Sequence, residues 1–249
     1  MRQLYRSLVC AWQFFTIIPA PRITAPTDKD IVRSAYFLPV VGVFLGAVLA
    51  VVRWLLAMVM PLSAATFLAL ALYTLTTGAL HVDGLMDTAD AVGSRKPREE
   101  ALTIMKDSRV GAMGAIAAVL LLGGKWIAMS ALPTSALMVF LLVPALSRLA
   151  MLWAMRLAPA ARPGGLGAMF AKRVRLTPIV ALTAGVFACA LATMPWVPVL
   201  GSFVAFALVL CLATNAFCRR FGGMTGDTYG ALAELMEWVL YFVAIALNH

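Results

Sequence analysis

Seven stretches of roughly 20 residues run through this chain almost without charge, at about 36–60, 62–80, 111–131, 134–157, 178–195, 198–217 and 231–247. Each is long enough to cross the about 30 Å hydrocarbon core of a bilayer as an α-helix. In that solvent every backbone polar group must be satisfied within the protein, which leaves helices or a closed barrel. A barrel is excluded, because its strands alternate apolar and polar residues over about 10 positions while these runs are continuous. The expected fold class is therefore all-α, a polytopic integral membrane bundle of about seven transmembrane helices. Composition agrees: 63% of residues are hydrophobic and only 12% charged, where a soluble domain carries charge at about a quarter of its positions. Little is left for a soluble domain, so residues 1–249 read as one membrane-embedded unit.

The net charge of +9 and pI near 9.9 fit either nucleic acid or anionic lipid as a partner. With no soluble module to carry nucleic-acid binding, the lipid bilayer is the expected partner and nucleic acid is not. The basic residues alternate along the chain. Arg2, Arg6, Arg22, Lys29 and Arg33 precede the first run; Arg95, Lys96, Arg98, Lys106 and Arg109 occupy the 81–110 loop. Arg162, Lys172, Arg173 and Arg175 occupy 158–177, and Arg219 and Arg220 occupy 218–230, while the turns near Pro61, Pro133 and Pro195–Pro198 have no Lys or Arg. The positive-inside rule puts the N-terminus and the charged loops in the cytoplasm and His249 outside, which requires an odd number of spans. Residues 1–25 have the outline of a signal peptide, but cleavage would reverse every loop. Residues 1–30 are instead expected to be an uncleaved amphipathic segment at the cytoplasmic interface, anchored by Trp12, Phe14 and Phe15. Arg53 and Lys125, inside apolar runs, are expected to snorkel, and the deeper Arg148 to face a polar cavity. Cys10, Cys189, Cys211 and Cys218 have no metal-binding spacing and read as packing residues.

All 11 carboxylates fall in three places: Asp28 and Asp30; Asp83, Asp87, Asp90, Glu99, Glu100 and Asp107; and Asp227, Glu234 and Glu237. By the expected topology all lie at one face. Asp83, Asp87 and Asp90 at i, i+4 and i+7 stack on one helical stripe, where their mutual repulsion calls for a cation. Hard divalent ions such as Mg²⁺ take carboxylate and phosphate oxygens, and metal binding is favoured over a solvated acidic face. Asp107 joins this metal-ligand set. Lys106 and Arg109 precede Gly111 and Gly114 at a helix start, a setting for gripping phosphate; the plain alternative is a positive-inside flank. A second glycine-rich turn, Gly222 to Asp227, opens the last helix, and Gly226 is the phosphate-facing candidate there. Asp227 reads as an N-cap and Glu234 as favourable to the helix dipole, but neither role explains Glu237 deeper in the membrane. These three form either a second metal-ligand set or a site for polar substrate groups. His81, two residues from Asp83, orients a nucleophile, acts as a base, holds phosphate, or is structural.

Four segments together resemble the bacterial cobalamin synthase family, the adenosylcobinamide-GDP ribazoletransferases. They are Phe15-Thr16-Ile17-Ile18-Pro19-Ala20-Pro21, Gly78 through Asp90 with His81-Val82-Asp83-Gly84 and Asp87, Ile104 through Gly114 with Lys106-Asp107-Ser108-Arg109, and Gly223 through Ala231 followed by Glu234 and Glu237. The family usually has Gly-Gly where Gly78-Ala79 stands, and often Gly where Ala91 stands. The resemblance implies a Mg²⁺-dependent enzyme of the bacterial cytoplasmic membrane, its active site on the cytoplasmic face. Its substrates would be adenosylcobinamide-GDP and α-ribazole or α-ribazole 5′-phosphate; its products, GMP and adenosylcobalamin or the 5′-phosphate. A homo-oligomer is compatible with this reading. Cleaving a diphosphate needs charge neutralised on bridging and leaving oxygens, which metal clamps supply. A prenyltransferase or CDP-alcohol phosphotransferase is the alternative enzyme, though the Asp-Gly-x-x-Ala-Arg motif of the latter is absent. A divalent-cation transporter would need acids along a path to the outer face, and the sequence has none there.

Overall fold

The computed structural model describes residues 2–23 and 25–247. The chain forms α1 (Arg2–Phe15), α2 (Asp28–Ser34), a 3₁₀ turn (Ala35–Phe37), α3 (Leu38–Ala57), α4 (Leu62–Thr76), α5 (Leu80–Gly93) and α6 (Arg98–Ile104). It continues through α7 (Ala112–Ala131), α8 (Leu137–Leu157), α9 (Gly165–Phe170), α10 (Leu176–Thr193), α11 (Trp196–Phe221) and α12 (Gly226–Leu247). No strand forms among the described residues beyond one isolated bridge between Ala160 and Met224. The all-α polytopic bundle expected from the apolar runs is the fold observed.

Six helices are long and apolar enough to span: α3 with α2 leading into it, α7, α8, α10, α11 and α12. The seventh candidate crossing is α4, after which the chain bends by 85° into α5. At 15 residues α4 is about 22 Å long, short for a span. Its two ends are nevertheless tied to opposite ends of the bundle. The Ser63 carbonyl near its start accepts from the indole of Trp126 late in α7 at 2.8 Å. The Thr76 carbonyl at its end accepts from the Ile17 N–H beside α1 at 2.9 Å. The helix α5 then lies across the ends of its neighbours rather than through the membrane.

Three boundaries differ from expectation. The second run stops at Thr76, α11 continues to Phe221 and α12 begins at Gly226. Arg219 and Arg220 are therefore in the last turn of α11, where positive charge meets the negative end of the helix dipole. Arg220 donates onward to the Ala91 and Lys96 carbonyls at 3.2 and 2.8 Å, fixing the end of α5. The expected external position of His249 lies outside the described residues.

The central helix is α8, most of which is buried within the bundle, and the outermost is α10, which buries little of its length. Helix α3 packs directly on α8, because a β-carbon at Gly42 or Gly46 would strike the Pro144 or Phe140 carbonyl. Such small-residue contacts let backbones approach where lipid offers no hydrophobic drive to association.

Two expectations for individual residues are corrected. Arg53 and Lys125 do not snorkel; they are 2% and 1% exposed. The Arg53 guanidinium donates to the Met129 and Pro133 carbonyls at 3.1 and 3.3 Å, to Thr66 Oγ1 at 3.0 Å and to the Leu132 carbonyl. It caps the end of α7, whose last carbonyls have no partner within the helix. A charge met by carbonyls has no need to reach the headgroups. In α1, Phe15 is buried and its ring lies 5.8 Å from His81, while Trp12 packs 4.6 Å from Phe44. Of the three expected interface anchors only Phe14 is exposed, at 42%.

The bend between α4 and α5 is made by Gly78 at φ 61° and Ala79 at φ 55°. Alanine in the left-handed region costs about 1 kcal/mol that glycine avoids. Ala79→Gly is therefore expected to stabilise the protein by about 1 kcal/mol, read as a rise in the thermal midpoint in detergent. A fall would mean that the methyl group contributes packing that outweighs its backbone strain.

Candidate active site

The candidate site is built where α5 crosses the start of α12. A β-carbon on Gly84 would come within 2.7 Å of the Asp227 carbonyl, and one on Gly230 within 3.2 Å of the His81 Cα. The two helices therefore touch backbone to backbone, and Asp83 and Asp87 on α5 face Asp227 on α12. Burial, and then the neighbouring Asp83, Asp227 and Asp90, raise the Asp87 pKa to about 6. Asp83 is exposed and Asp87 half-buried.

The N-cap role expected of Asp227 belongs to Thr225. Thr225 Oγ1 accepts from the Thr228 N–H at 3.1 Å, and Thr228 Oγ1 accepts from the Thr225 N–H at 2.8 Å. This reciprocal pair satisfies the helix start in the manner of a capping box. The Asp227 carboxylate is left facing the site, with Thr225 Oγ1 at 3.2 Å and Arg162 at 4.0 Å. Arg162 is brought there because the Pro159 carbonyl accepts from Met224 at 2.8 Å and the Met224 carbonyl from Ala161 at 2.9 Å. Nothing in the sequence marked Arg162 among the loop cations, because this pairing joins segments 63 positions apart in sequence.

Asp90 departs from the expected metal stripe. Its carboxylate accepts from the Gly111 and Gly114 N–H groups, both at 2.7 Å. It thereby occupies the anion position at the start of α7, where Gly111 was expected to meet phosphate. Both glycines are required by this contact, since a β-carbon at either would collide with the Asp90 carboxylate. Asp107 and Arg109 pair with each other at 2.5 Å, with Arg109 87% exposed. Hydrogen bonds from Arg109 hold the Asp107 carboxyl down at about 2. Lys106 is exposed beside them.

Glu234 and Glu237 separate from the aspartates. Lys125 Nζ donates to Glu234 at 2.5 Å and to Glu237 at 2.7 Å, and Arg148 pairs with Glu237. Tyr73 Oη and Ser147 Oγ donate to the same Glu237 oxygen at 2.6 and 3.1 Å. Arg148 also donates to Tyr73 Oη at 2.8 Å and Ser147 Oγ at 2.7 Å. Two carboxylates are thus balanced by two cations in a fully buried cluster, and no charge is left over for a metal. Arg148 does face polar groups as expected, but they are ion-pair partners rather than a cavity. Lys125 and Arg148 against two acids in another span was the available sequence signal; Tyr73 had none.

Beside Asp83 and Asp227 lies a cavity of about 80 Å³, lined also by His81, Tyr229, Gly226 and Phe15. The His81 nitrogens and Tyr229 Oη are buried with no hydrogen-bond partner. Burial, followed by the Arg148 charge, depresses the His81 pKa to about 3, so the imidazole is neutral. Unpaired buried polar groups are costly, and here they flank a space that a polar ligand can enter. Among the described residues no three His, Cys, Asp or Glu side chains converge to hold a metal alone. Any one ion held here would take only one or two carboxylates from the protein. That is the share Mg²⁺ takes when phosphate oxygens and water complete its shell.

Fold and site together define a polytopic membrane protein with an uncommitted acidic site at one end of its helical bundle. The chain belongs to the cobalamin-5-phosphate synthase family, which it matches over residues 7–245. It is 35% identical to the adenosylcobinamide-GDP ribazoletransferase of Geotalea daltonii, over 98% of this chain and 99% of the relative. It is 39% identical to the proteins of the same name from Sinorhizobium medicae, over 99% and 98% of the two chains, and Pseudomonas aeruginosa, over 99% and 100%. No solved structure matches the chain.

If Glu237 serves the buried cluster, Glu237→Gln leaves two cations facing one carboxylate and should cost about 3–5 kcal/mol. The expected result is a large loss of thermal stability in detergent. A variant as stable as wild type would remove Glu237 from the charge balance of the cluster.

Proposed function

We propose that this chain is a membrane transferase joining α-ribazole, or its 5′-phosphate, to adenosylcobinamide-GDP, with release of GMP and formation of adenosylcobalamin or its 5′-phosphate. The observation that carries the site assignment is the meeting of Asp83, Asp87 and Asp227 beside a cavity holding the unpaired His81 and Tyr229. Since GMP leaves, a ribose hydroxyl of the acceptor attacks the phosphorus borne by cobinamide. One P–O bond forms, the bond to the bridging oxygen breaks, that oxygen departs with GMP and the hydroxyl proton is lost to a base.

One or two of Asp83, Asp87 and Asp227 would hold any one Mg²⁺, with phosphate oxygens and water completing its shell, and the ion when bound supplies charge neutralisation for the diphosphate. An all-oxygen donor set lacking sufficient cationic partners suits a hard divalent ion. Neutral His81 offers an acceptor nitrogen and Tyr229 a hydroxyl for orienting the acceptor's ribose hydroxyl. Lys106 and Arg109, exposed on the loop between α6 and α7, bind the diphosphate from the solvent side. Their mutual surface pair with Asp107 is weak enough to be exchanged, since exposed ion pairs are worth about 0–1 kcal/mol. Gly226, at the start of α12 and on the cavity wall, presents a helix N-terminus to a phosphate. Asp90 and Asp107 are assigned to capping α7 and to pairing Arg109, and Glu234 and Glu237 to the buried cluster. The site lies at the end of the bundle that gathers the basic loops, which we assign to the cytoplasmic face of the bacterial inner membrane.

The test incubates purified protein with adenosylcobinamide-GDP, α-ribazole and Mg²⁺ and measures GMP. Wild type should release it. Asp83→Asn, Asp87→Asn and Asp227→Asn should each lose about 100-fold or more and need more Mg²⁺, whereas Asp90→Asn should stay within about tenfold of wild type. Wild-type Mg²⁺ curves for the first three would remove the metal assignment. In the same assay Arg109→Lys keeps the charge but loses the planar fork, so full activity in it would remove Arg109 from the phosphate grip.

A further inference from the structure

Along α10, Ala181, Gly185 and Cys189 recur every four residues and so share one side of the helix. A β-carbon added at Gly185 would meet nothing within 4 Å. These small side chains leave a groove of about 1000 Å³ between α10 and the α2–α3 segment. Its upper rim, at the end of the bundle with the acidic site, carries Lys29, Arg33, Arg173 and Arg175. Below the rim the walls are apolar, formed by Val40, Leu182, Val186 and Cys189. Pro178 to Cys189 covers about 16 Å of helix, close to the hydrocarbon depth of one leaflet.

The rim's cations are only partly used within the protein. Arg33 donates to Gln3 Oε1 at 2.7 Å, and Arg173 pairs with Asp28 at 3.1 Å. The side chains of Lys29 and Arg175 have no hydrogen-bond or ion-pair partner among the described residues. A second lipid-facing groove, about 620 Å³ between α8, α10 and α11, is lined by Trp153, Phe203, Phe206 and Leu210 and has no charged residue. Charge at headgroup depth above an apolar channel of leaflet length therefore distinguishes the first groove.

We propose that this groove binds one anionic glycerophospholipid, its phosphate held by Lys29, Arg33 and Arg175 and an acyl chain lying along α10 past Gly185. A free phosphate or nucleotide would use the rim but leave the apolar walls uncovered; a zwitterionic lipid would fill the walls without balancing the rim. The site also has a place in the catalytic design. Arg6 of α1 pairs with Asp30 of α2 at 3.1 Å, and α1 ends in Phe14 and Phe15, which wall the cavity containing His81. Lipid held against α2 thus braces the segment covering that cavity. This last link rests on the transferase reading above; the binding site itself does not.

Native mass spectrometry of the full chain in detergent tests the site without reference to activity. The protein is titrated with phosphatidylglycerol, with phosphatidylcholine of the same acyl chains, and with inorganic phosphate. One phosphatidylglycerol should be retained at least tenfold more tightly than phosphatidylcholine, and inorganic phosphate should not displace it. At about fivefold per basic residue near a headgroup, Lys29→Gln combined with Arg175→Gln should weaken phosphatidylglycerol roughly 30-fold and leave phosphatidylcholine unchanged. Gly185→Trp, which fills open space, should weaken both lipids. Equal affinity for the two lipids, phosphatidylglycerol binding unaffected by the double substitution, or displacement by inorganic phosphate would overturn the proposal.

Discussion

Inside a bilayer a charge that finds no partner within the protein is expensive, and this constraint sorts the acids of the molecule into two groups. Glu234 and Glu237 are met by Lys125 and Arg148, with Tyr73 and Ser147 completing the shell. That cluster joins the last turn of α4 to the interiors of α7, α8 and α12, so four helices are registered by one set of contacts. Removing any member leaves a buried charge uncompensated, which is why such clusters specify an arrangement more than they add net stability. Arg53 applies the same rule elsewhere, taking the carbonyls at the end of α7 as its partners.

With the deep charges balanced, the end of the bundle is organised by helix termini. Helix α5 lies across two of them. Asp90 takes two N–H groups at the start of α7, and Gly84 and Gly230 let α5 rest directly on the first turns of α12. The Thr225–Thr228 pair supplies the cap of α12. Because these roles are filled by other groups, Asp83, Asp87 and Asp227 are not needed to hold the fold, and they are the acids left facing one another.

The spans were legible from the sequence because continuous apolar length has one physical meaning in a bilayer. Their ends were less so: α11 and α12 both extend further toward the 222–225 turn than hydropathy indicates, since Arg219, Arg220 and Asp227 are tolerated in terminal turns that a hydropathy window counts as loop. The helical stripe Asp83, Asp87 and Asp90 was also legible, but not its division. A period places side chains on one face of their own helix; it is silent on what the next helix offers, and α7 offered two amide groups to Asp90. The same blindness led Lys125 to be read as snorkelling, because its partners are more than a hundred residues away. Recurring small residues were legible as sequence but ambiguous in use: Gly42 and Gly46 admit α8, while Gly185 admits no protein group.

On the proposed reading, charge balance at the acidic end accounts for the loose hold on Lys106 and Arg109. Three carboxylates face one nearby cation, Arg162 at 4.0 Å from Asp227, leaving an excess of two negative charges that one Mg²⁺ would offset. An arriving diphosphate brings further negative charge, and among the described residues no buried cation is free to meet it, since Lys125 and Arg148 are already paired and Arg53 is committed to the carbonyls at the end of α7. The additional positive charge has to come from groups able to move toward the ligand. Lys106 and Arg109 meet that requirement: both are exposed, and Arg109 is restrained by a surface pair with Asp107 that solvent screens strongly. Cations fixed beside the carboxylates would pair with them in place of a metal. On the proposed reading, keeping Lys106 and Arg109 on a loop, and occupying Arg109 with Asp107 until phosphate competes for it, would preserve a negative excess for the metal and still supply cations to an arriving diphosphate.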